Sequence, residues 1–174
     1  MTSSVPAEID QNLTIDTDNL PLGDVLAGMR RFISWLDVYG ETSYDFQTFY
    51  ASDLCRNAKQ LYYRKPLLGT IAVAPIIFCE AFVPSARKLF WKPQRFPIAN
   101  AHYAMGFAFL GRYLNDEAYY RRALHFLQVL EETRCPGFEH YCWGYPFNWG
   151  TVRGTIWAGT PLITTVPYVY EAFR

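Results

Sequence analysis

The sequence predicts an all-α fold built of helical hairpins, and three observations carry that prediction. Apolar residues recur at three- and four-residue intervals over long stretches, Pro, Ser, Asn and Asp stand where such stretches begin, and strand-like runs are scarce. A chain of 174 residues that is 51% hydrophobic has the size of one domain and can bury a sizeable core. Residues 1–18 read as a flexible polar arm and residues 19–174 as the helical domain. The arm has neither the basic start nor the apolar run of a signal peptide, so export is not indicated.

The first helix is expected from Asn19, an N-cap, with Pro21 in its first turn and Leu22, Val25, Leu26, Met29, Phe32, Ile33 and Leu36 as its apolar stripe. Gly40 closes it. An aromatic loop follows, then a short helix from about Ser52, its cap, to Tyr63, ended by Pro66. Leu67 to Phe82 is the most apolar run in the chain. It is shorter than the roughly 20 residues that span a bilayer and contains Pro75 and Glu80, so a central helix buried all round is expected. Docking on a membrane surface is the alternative, and Glu80 reads first as a snorkelling end residue and second as an ionised group facing a cavity.

The next connection, SARKLFWKPQRFP, carries Arg87, Lys88, Lys92 and Arg95, a cluster that reads first as solvated and second as a contact for phosphate or an anionic sugar. From Pro97 a helix places Ala99, Tyr103, Phe107 and Leu110 on one face and keeps Ala101, Ala104, Gly106 and Ala108 small on the other. Asn115 and Asp116 interrupt it, and Asp116 caps a second helix with Tyr119, Ala123, Phe126, Leu127 and Leu130 on its apolar stripe. Together they form an αα-hairpin. A last helix is expected from Pro161, kinked at Pro167, with Leu162, Val166, Val169 and Phe173 on one side. Its apolar face runs to the end of the sequence, which points to later helices that would cover it and to a chain that is the N-terminal part of a larger array.

Lys+Arg and Asp+Glu both total 16. Such a balance supplies neither an electrostatic footprint for nucleic acid nor a polybasic arm for acidic membranes, and neither is expected as a partner on charge grounds. Cys55, Cys79, Cys135 and Cys142 form no CxxC pair and are too sparse for a stapled secreted domain, so the expected location is the cytoplasm, with the apolar run allowing a place at the periphery of the inner membrane.

Between the last two helices lies HYCWGYPFNWGTVRGTIWAGTP, from His140 to Pro161, dense in aromatics and punctuated by Gly144, Gly150, Gly154 and Gly159. No continuous helix or strand fits it, and an ordered loop is expected. A solvated loop gains nothing from rings that each bury roughly 150–250 Å², and a fully buried loop would strand backbone polar groups. A loop lining a concave site satisfies both constraints. Flat rings beside hydrogen-bonding groups suit sugars, and Trp143, Tyr145, Phe147, Asn148, Trp149 and Arg153 are the candidate binding residues. Aromatic packing that plugs the end of the helical domain is the competing reading.

The string CWGYPFNWGTVRGTIWAGTPLITTVPYVYEAF, Cys142 to Phe173, resembles the six-hairpin glycosidase-like, or (α/α) toroid, proteins, and within them an uncharacterised branch associated with bacterial polysaccharide biosynthesis. The resemblance extends from about Asn19 to the end and is most specific in W-G-Y-P-F-x-W and T-P-L-I-T-T-x-P-Y. It implies a toroid-like array of which this chain is roughly the first half, with the aromatic loop at the cleft end of the ring. In that branch an Asp stands where this chain has Asn148, so one carboxylate able to act as acid or base is absent.

Glycoside hydrolysis normally requires two carboxyl groups across the scissile bond, and no convincing pair is present. The catalytic candidates are Glu139 beside the loop, His140, which can move protons near neutral pH, and His102 in N-A-H-Y. These residue types also suit a sugar epimerase or isomerase. Cys135, His140 and Cys142 fall close together, but their spacing matches no zinc finger, so packed free thiols are expected and no metal. Neither a P-loop nor a dinucleotide glycine fingerprint is present, and no cofactor is expected. The leading functional expectation is a protein of glycan or polysaccharide metabolism that binds a saccharide or glycan precursor. The alternative is a non-catalytic scaffold in surface-polysaccharide synthesis whose Leu67–Phe82 segment meets a membrane or another protein.

Overall fold

The structure, a computed structural model, describes residues 22–174. The chain divides into two compact units, Met1–Gly40 and Glu41–Arg174. The expected arm, the Asn19 cap and Pro21 lie outside the described residues. In the first unit α1 (Leu22–Tyr39) ends where expected: Gly40 adopts a φ of 82° and donates its N–H to the Leu36 carbonyl at 2.9 Å. Trp35 stacks on Phe32 at 6.0 Å and meets Tyr39 at 5.5 Å.

The second unit is mostly helical, which bears out the all-α expectation. Its helices are α2 (Asp53–Arg64), α3 (Pro66–Phe82), α4 (Arg87–Phe90), α5 (Pro97–Leu114), α6 (Glu117–Glu132) and α7 (Val166–Phe173). Short 3₁₀ turns at Phe46–Tyr50 and Pro84–Ala86 fill the connections. Caps explain the boundaries. The Ser52 hydroxyl accepts from the Cys55 N–H at 3.4 Å to open α2, and the Asp116 carboxylate accepts from the Ala118 N–H at 2.8 Å to open α6. Asn115, at φ 51°, closes α5 in the left-handed conformation that Asn tolerates.

Two hairpins organise the unit. Helices α5 and α6 pack along their length, with Phe107 stacked on Phe126 at 5.7 Å and the α5 backbone at Gly111 lying against the Tyr120 ring. Ala101 and Leu130 from this pair enclose Trp143 and Val169 in one fully packed cluster. Helices α2 and α3 form the other hairpin, over a second cluster of Phe49, Cys55 and Ile76. They approach closely at Gly69, where an added Cβ would fall 2.0 Å from the Tyr62 Cα. Only a residue without a side chain permits that contact.

Three expectations are corrected. Helix α3 is not buried all round. It buries only Gly69, Val73 and Ile76, while Leu67, Ile71, Phe78 and Phe82 are 87%, 74%, 58% and 73% exposed. An unbroken apolar run carries no periodicity, so it cannot reveal that only one side has a partner. Glu80 does not snorkel: it is half-buried and acts electrostatically on Tyr50 and Lys59 of the packed side. The last helix begins at Val166, so Pro167 occupies its first turn and introduces no kink, as suits a residue lacking an N–H.

Candidate functional site

The segment between α6 and α7 is an ordered loop held at several points. Thr133 ends α6 by donating its hydroxyl to the Val129 carbonyl at 2.7 Å, and the Cys135 N–H donates to the Cys142 carbonyl at 2.8 Å, closing a short exposed loop. The Leu162 N–H donates to the Trp143 carbonyl at 3.0 Å, and the Gly159 N–H to the Tyr145 carbonyl at 3.2 Å. Gly144 makes this crossing tight: a Cβ there would stand 1.9 Å from the Thr160 carbonyl oxygen. These bonds pair several of the backbone polar groups of an irregular aromatic segment.

Strand was not expected here, yet Trp149–Thr151 (β1) and Gly154–Ile156 (β2) form an antiparallel hairpin, with Trp149 opposite Ile156 and Thr151 opposite Gly154. The connecting pair is Val152 and Arg153, and Gly154 takes a φ of 129° that disfavours a side chain. The readable signal was β-branched Thr151, Thr155 and Ile156 around Gly154. The hairpin rests on α2. Gly150 lies against the Arg56 side chain, whose guanidinium sits 5.8 Å from the Trp157 ring, and the Gln60 amide donates to the Thr155 hydroxyl at 2.7 Å.

The six binding candidates divide by burial. Trp143 belongs to the core: it is buried, donates its indole N–H to the Leu130 carbonyl at 2.6 Å and stacks on Phe173 at 6.0 Å. Phe147 is buried, with its edge toward Phe96 at 6.2 Å and its face on Tyr145 at 5.4 Å. Tyr145 and Trp149 are half-buried and meet edge to face at 5.6 Å. Asn148 accepts from the Ala158 N–H at 2.9 Å and so shapes the loop, while Arg153 is exposed at the hairpin turn. Trp143 and Phe147 are thus packed inside the domain, whereas Tyr145 and Trp149 keep part of their surface exposed, and of the six only Tyr145 borders the cleft that opens beside it.

Beside Tyr145 opens a cleft of about 440 Å³, within the range of about 300–1,000 Å³ typical of small-molecule sites. Gly144, Tyr145 and Pro146 form one side, Thr133 and Arg134 another, and Thr42, Gln94 and Arg95 a third. The third side is braced by the antiparallel bridge between Ser43 and Gln94. Arg95 and His125 both reach Glu41, at 2.5 and 2.7 Å, tying α6 to this bridge. The Arg134 guanidinium stands 4.5 Å over the Tyr141 ring. Thr42, Gln94 and Arg134 escaped sequence reasoning because only the tertiary fold brings them to Tyr145; Arg95 belonged to the basic cluster noted for anion contact.

Glu139 and His140 are exposed on the loop between the two cysteines, and His102 lies on α5 with its ring 5.2 Å from Tyr168. None of the three lines the cleft, and no carboxylate does. Among the described residues no three His, Cys, Asp or Glu side chains gather as a ligand set. Cys135 and Cys142 are free thiols that approach each other, and burial, reinforced by Cys142, pushes the Cys135 thiol up to about 11. Such a thiol stays protonated and unreactive near neutral pH. Compared with protein-family models, with curated proteins and with solved structures, the chain shows no match.

Proposed function

We propose that the chain is a saccharide-binding protein of glycan metabolism, and that the cleft beside Tyr145 is its binding site. The observation that carries this reading is the mixed lining of the cleft: an aromatic ring, Tyr145, and several prolines beside the polar side chains of Thr42, Gln94, Thr133, Arg95 and Arg134. A sugar presents an apolar C–H face for a ring and hydroxyls for amide, hydroxyl and guanidinium groups; Arg95 is already paired with Glu41, so the Arg134 guanidinium is the group that favours a sugar carrying a negative charge. Binding is the supported activity. Hydrolysis by a carboxyl pair would need acids that the cleft does not contain.

The finer architecture we infer is part of an (α/α) toroid-like array, with α2–α3 and α5–α6 as successive hairpins and the aromatic loop at the cleft end. The two hairpins and the position of the loop after α6 support this. A glycan array spanning neutral and acidic oligosaccharides tests the proposal. Binding should appear with acidic members, and Tyr145→Ala should weaken it at least tenfold while the circular dichroism spectrum stays unchanged. Tyr145→Phe, which keeps the ring, should retain most of it. A folded chain that binds no saccharide on the array, or binding indifferent to Tyr145→Ala, would refute this reading.

A further inference from the structure

We propose that the outward face of α3 docks on an anionic lipid bilayer, lying in the plane of the headgroups without crossing. The face is large and nearly uniform. Around the side of α3 turned away from the core, Leu67, Ile71, Pro75, Phe78 and Phe82 are all exposed, with Thr70 as the one polar residue, its hydroxyl donating back to the Pro66 carbonyl at 2.8 Å. A water-facing helix surface ordinarily carries charged residues. This one carries none.

Charge at the two ends of the helix identifies what covers the face. Between Arg64 and Lys92 the basic residues are Arg64, Lys65, Arg87, Lys88 and Lys92, and the single acidic residue is Glu80. Glu80 sits on the packed side, where its charge acts on Tyr50 and Lys59. Arg64 and Lys65 stand exposed before the helix, and Lys88 and Lys92 stand exposed after it. A second copy is a poor occupant: with both ends cationic, parallel and antiparallel pairing alike bring positive charges together. An anionic bilayer answers both features at once, since acyl chains take up the apolar arc and lipid phosphates meet the cations at either end.

Geometry favours lying over crossing. Seventeen residues make a helix roughly 25 Å long, against a hydrocarbon core of about 30 Å. The following segment, Pro84–Phe90, turns away by 112°; the two together have the length and apolar composition of a broken span or re-entrant loop, but among the described residues no single helix is long and apolar enough to cross a membrane. That turn carries Lys88 and Lys92 to a cleft of about 400 Å³ bounded by the exposed Leu89 and by Trp91. Cations beside an exposed leucine are suited to the headgroup level. Tyr62 and Tyr63, exposed at the other end, are also residues of that level.

Flotation of the full chain with vesicles tests the proposal, because aggregated protein stays at the bottom of the gradient. The chain should float with vesicles of equal parts phosphatidylcholine and phosphatidylglycerol, float far less with phosphatidylcholine alone, and detach as salt is raised. Exposed-site variants Ile71→Glu and Phe78→Glu should abolish flotation while the helical circular dichroism spectrum is kept. Replacing Arg64, Lys65, Lys88 and Lys92 by Gln should weaken binding to the anionic vesicles roughly tenfold or more. Failure of the folded chain to float with anionic vesicles would overturn the proposal and leave a protein partner as the occupant. A lipid-free dimer that Ile71→Glu dissociates would overturn it in favour of a second copy.

Discussion

Single residues in the aromatic loop show how composition became structure. Of the six large aromatic side chains from Tyr141 to Trp157, Trp143 and Phe147 are buried, and so is the Cys135 thiol just before the loop. Cys135 has a measurable consequence. Burial and the adjacent Cys142 raise its thiol from the ordinary 9.0 to about 11, so the folded chain holds a proton that the unfolded chain releases earlier. The stability this thiol contributes is complete below about pH 9 and falls as the pH rises to about 11. Urea midpoints of the wild type should therefore decline more steeply across that window than those of Cys135→Ala. Parallel pH dependences for the two proteins would show that this thiol does not couple to folding. The sequence showed the pairing of aromatics with glycines, and so an ordered loop, but not which rings are buried and which keep exposed surface. That division depends on the Leu130 carbonyl and on Phe173, partners that come from other elements.

At the level of elements, punctuation was legible and packing partners were not. Ser52, Pro97, Asn115 and Asp116 act locally, through caps and the fixed φ of proline, and their helix ends fall where the sequence put them. The sidedness of α3 depends on what lies beside it, and a uniformly apolar run conceals that. Gly69 tests the α2–α3 hairpin directly. Its Cβ would strike backbone atoms of Tyr62, at 2.0 Å from Cα and 2.3 Å from N, which cannot be relieved by a rotamer change. Gly69→Ala should cost about 2–4 kcal/mol. Gly106, on α5, has nothing within 4 Å of the same hypothetical atom and sits in a helix interior, so Gly106→Ala should stabilise by about 0.5–1 kcal/mol. Opposite signs in urea denaturation would confirm that close approach, and not glycine content, is what Gly69 supplies; equal small effects would disprove it.

Across the whole of Glu41–Arg174, two apolar clusters lie under different hairpins, one around Trp143 and one around Phe49, and something must make them a single unit. Polar groups between α2 and the β1–β2 hairpin are well placed to do so. Arg56 is buried, pairs with Asp53 at 2.7 Å, and supports Gly150 with its stem, while one turn on, Gln60 reaches Thr155 across 95 residues of sequence. No local pattern could announce that contact, because neither residue type nor spacing marks an amide for a hydroxyl so far along the chain. It can be measured. Gln60→Ala and Thr155→Val each remove one partner of a 2.7 Å hydrogen bond that is partly withdrawn from water. A double-mutant cycle on unfolding should return a coupling of about 0.5–1.5 kcal/mol. Amide exchange should report where the coupling acts: if α2 holds the hairpin, Gln60→Ala speeds exchange in Trp149–Thr151 and Gly154–Ile156 while the α5–α6 pair keeps its protection. Zero coupling with unchanged exchange would mean that the hairpin is carried by its own loop, and that Tyr145 and the cleft are positioned without help from α2.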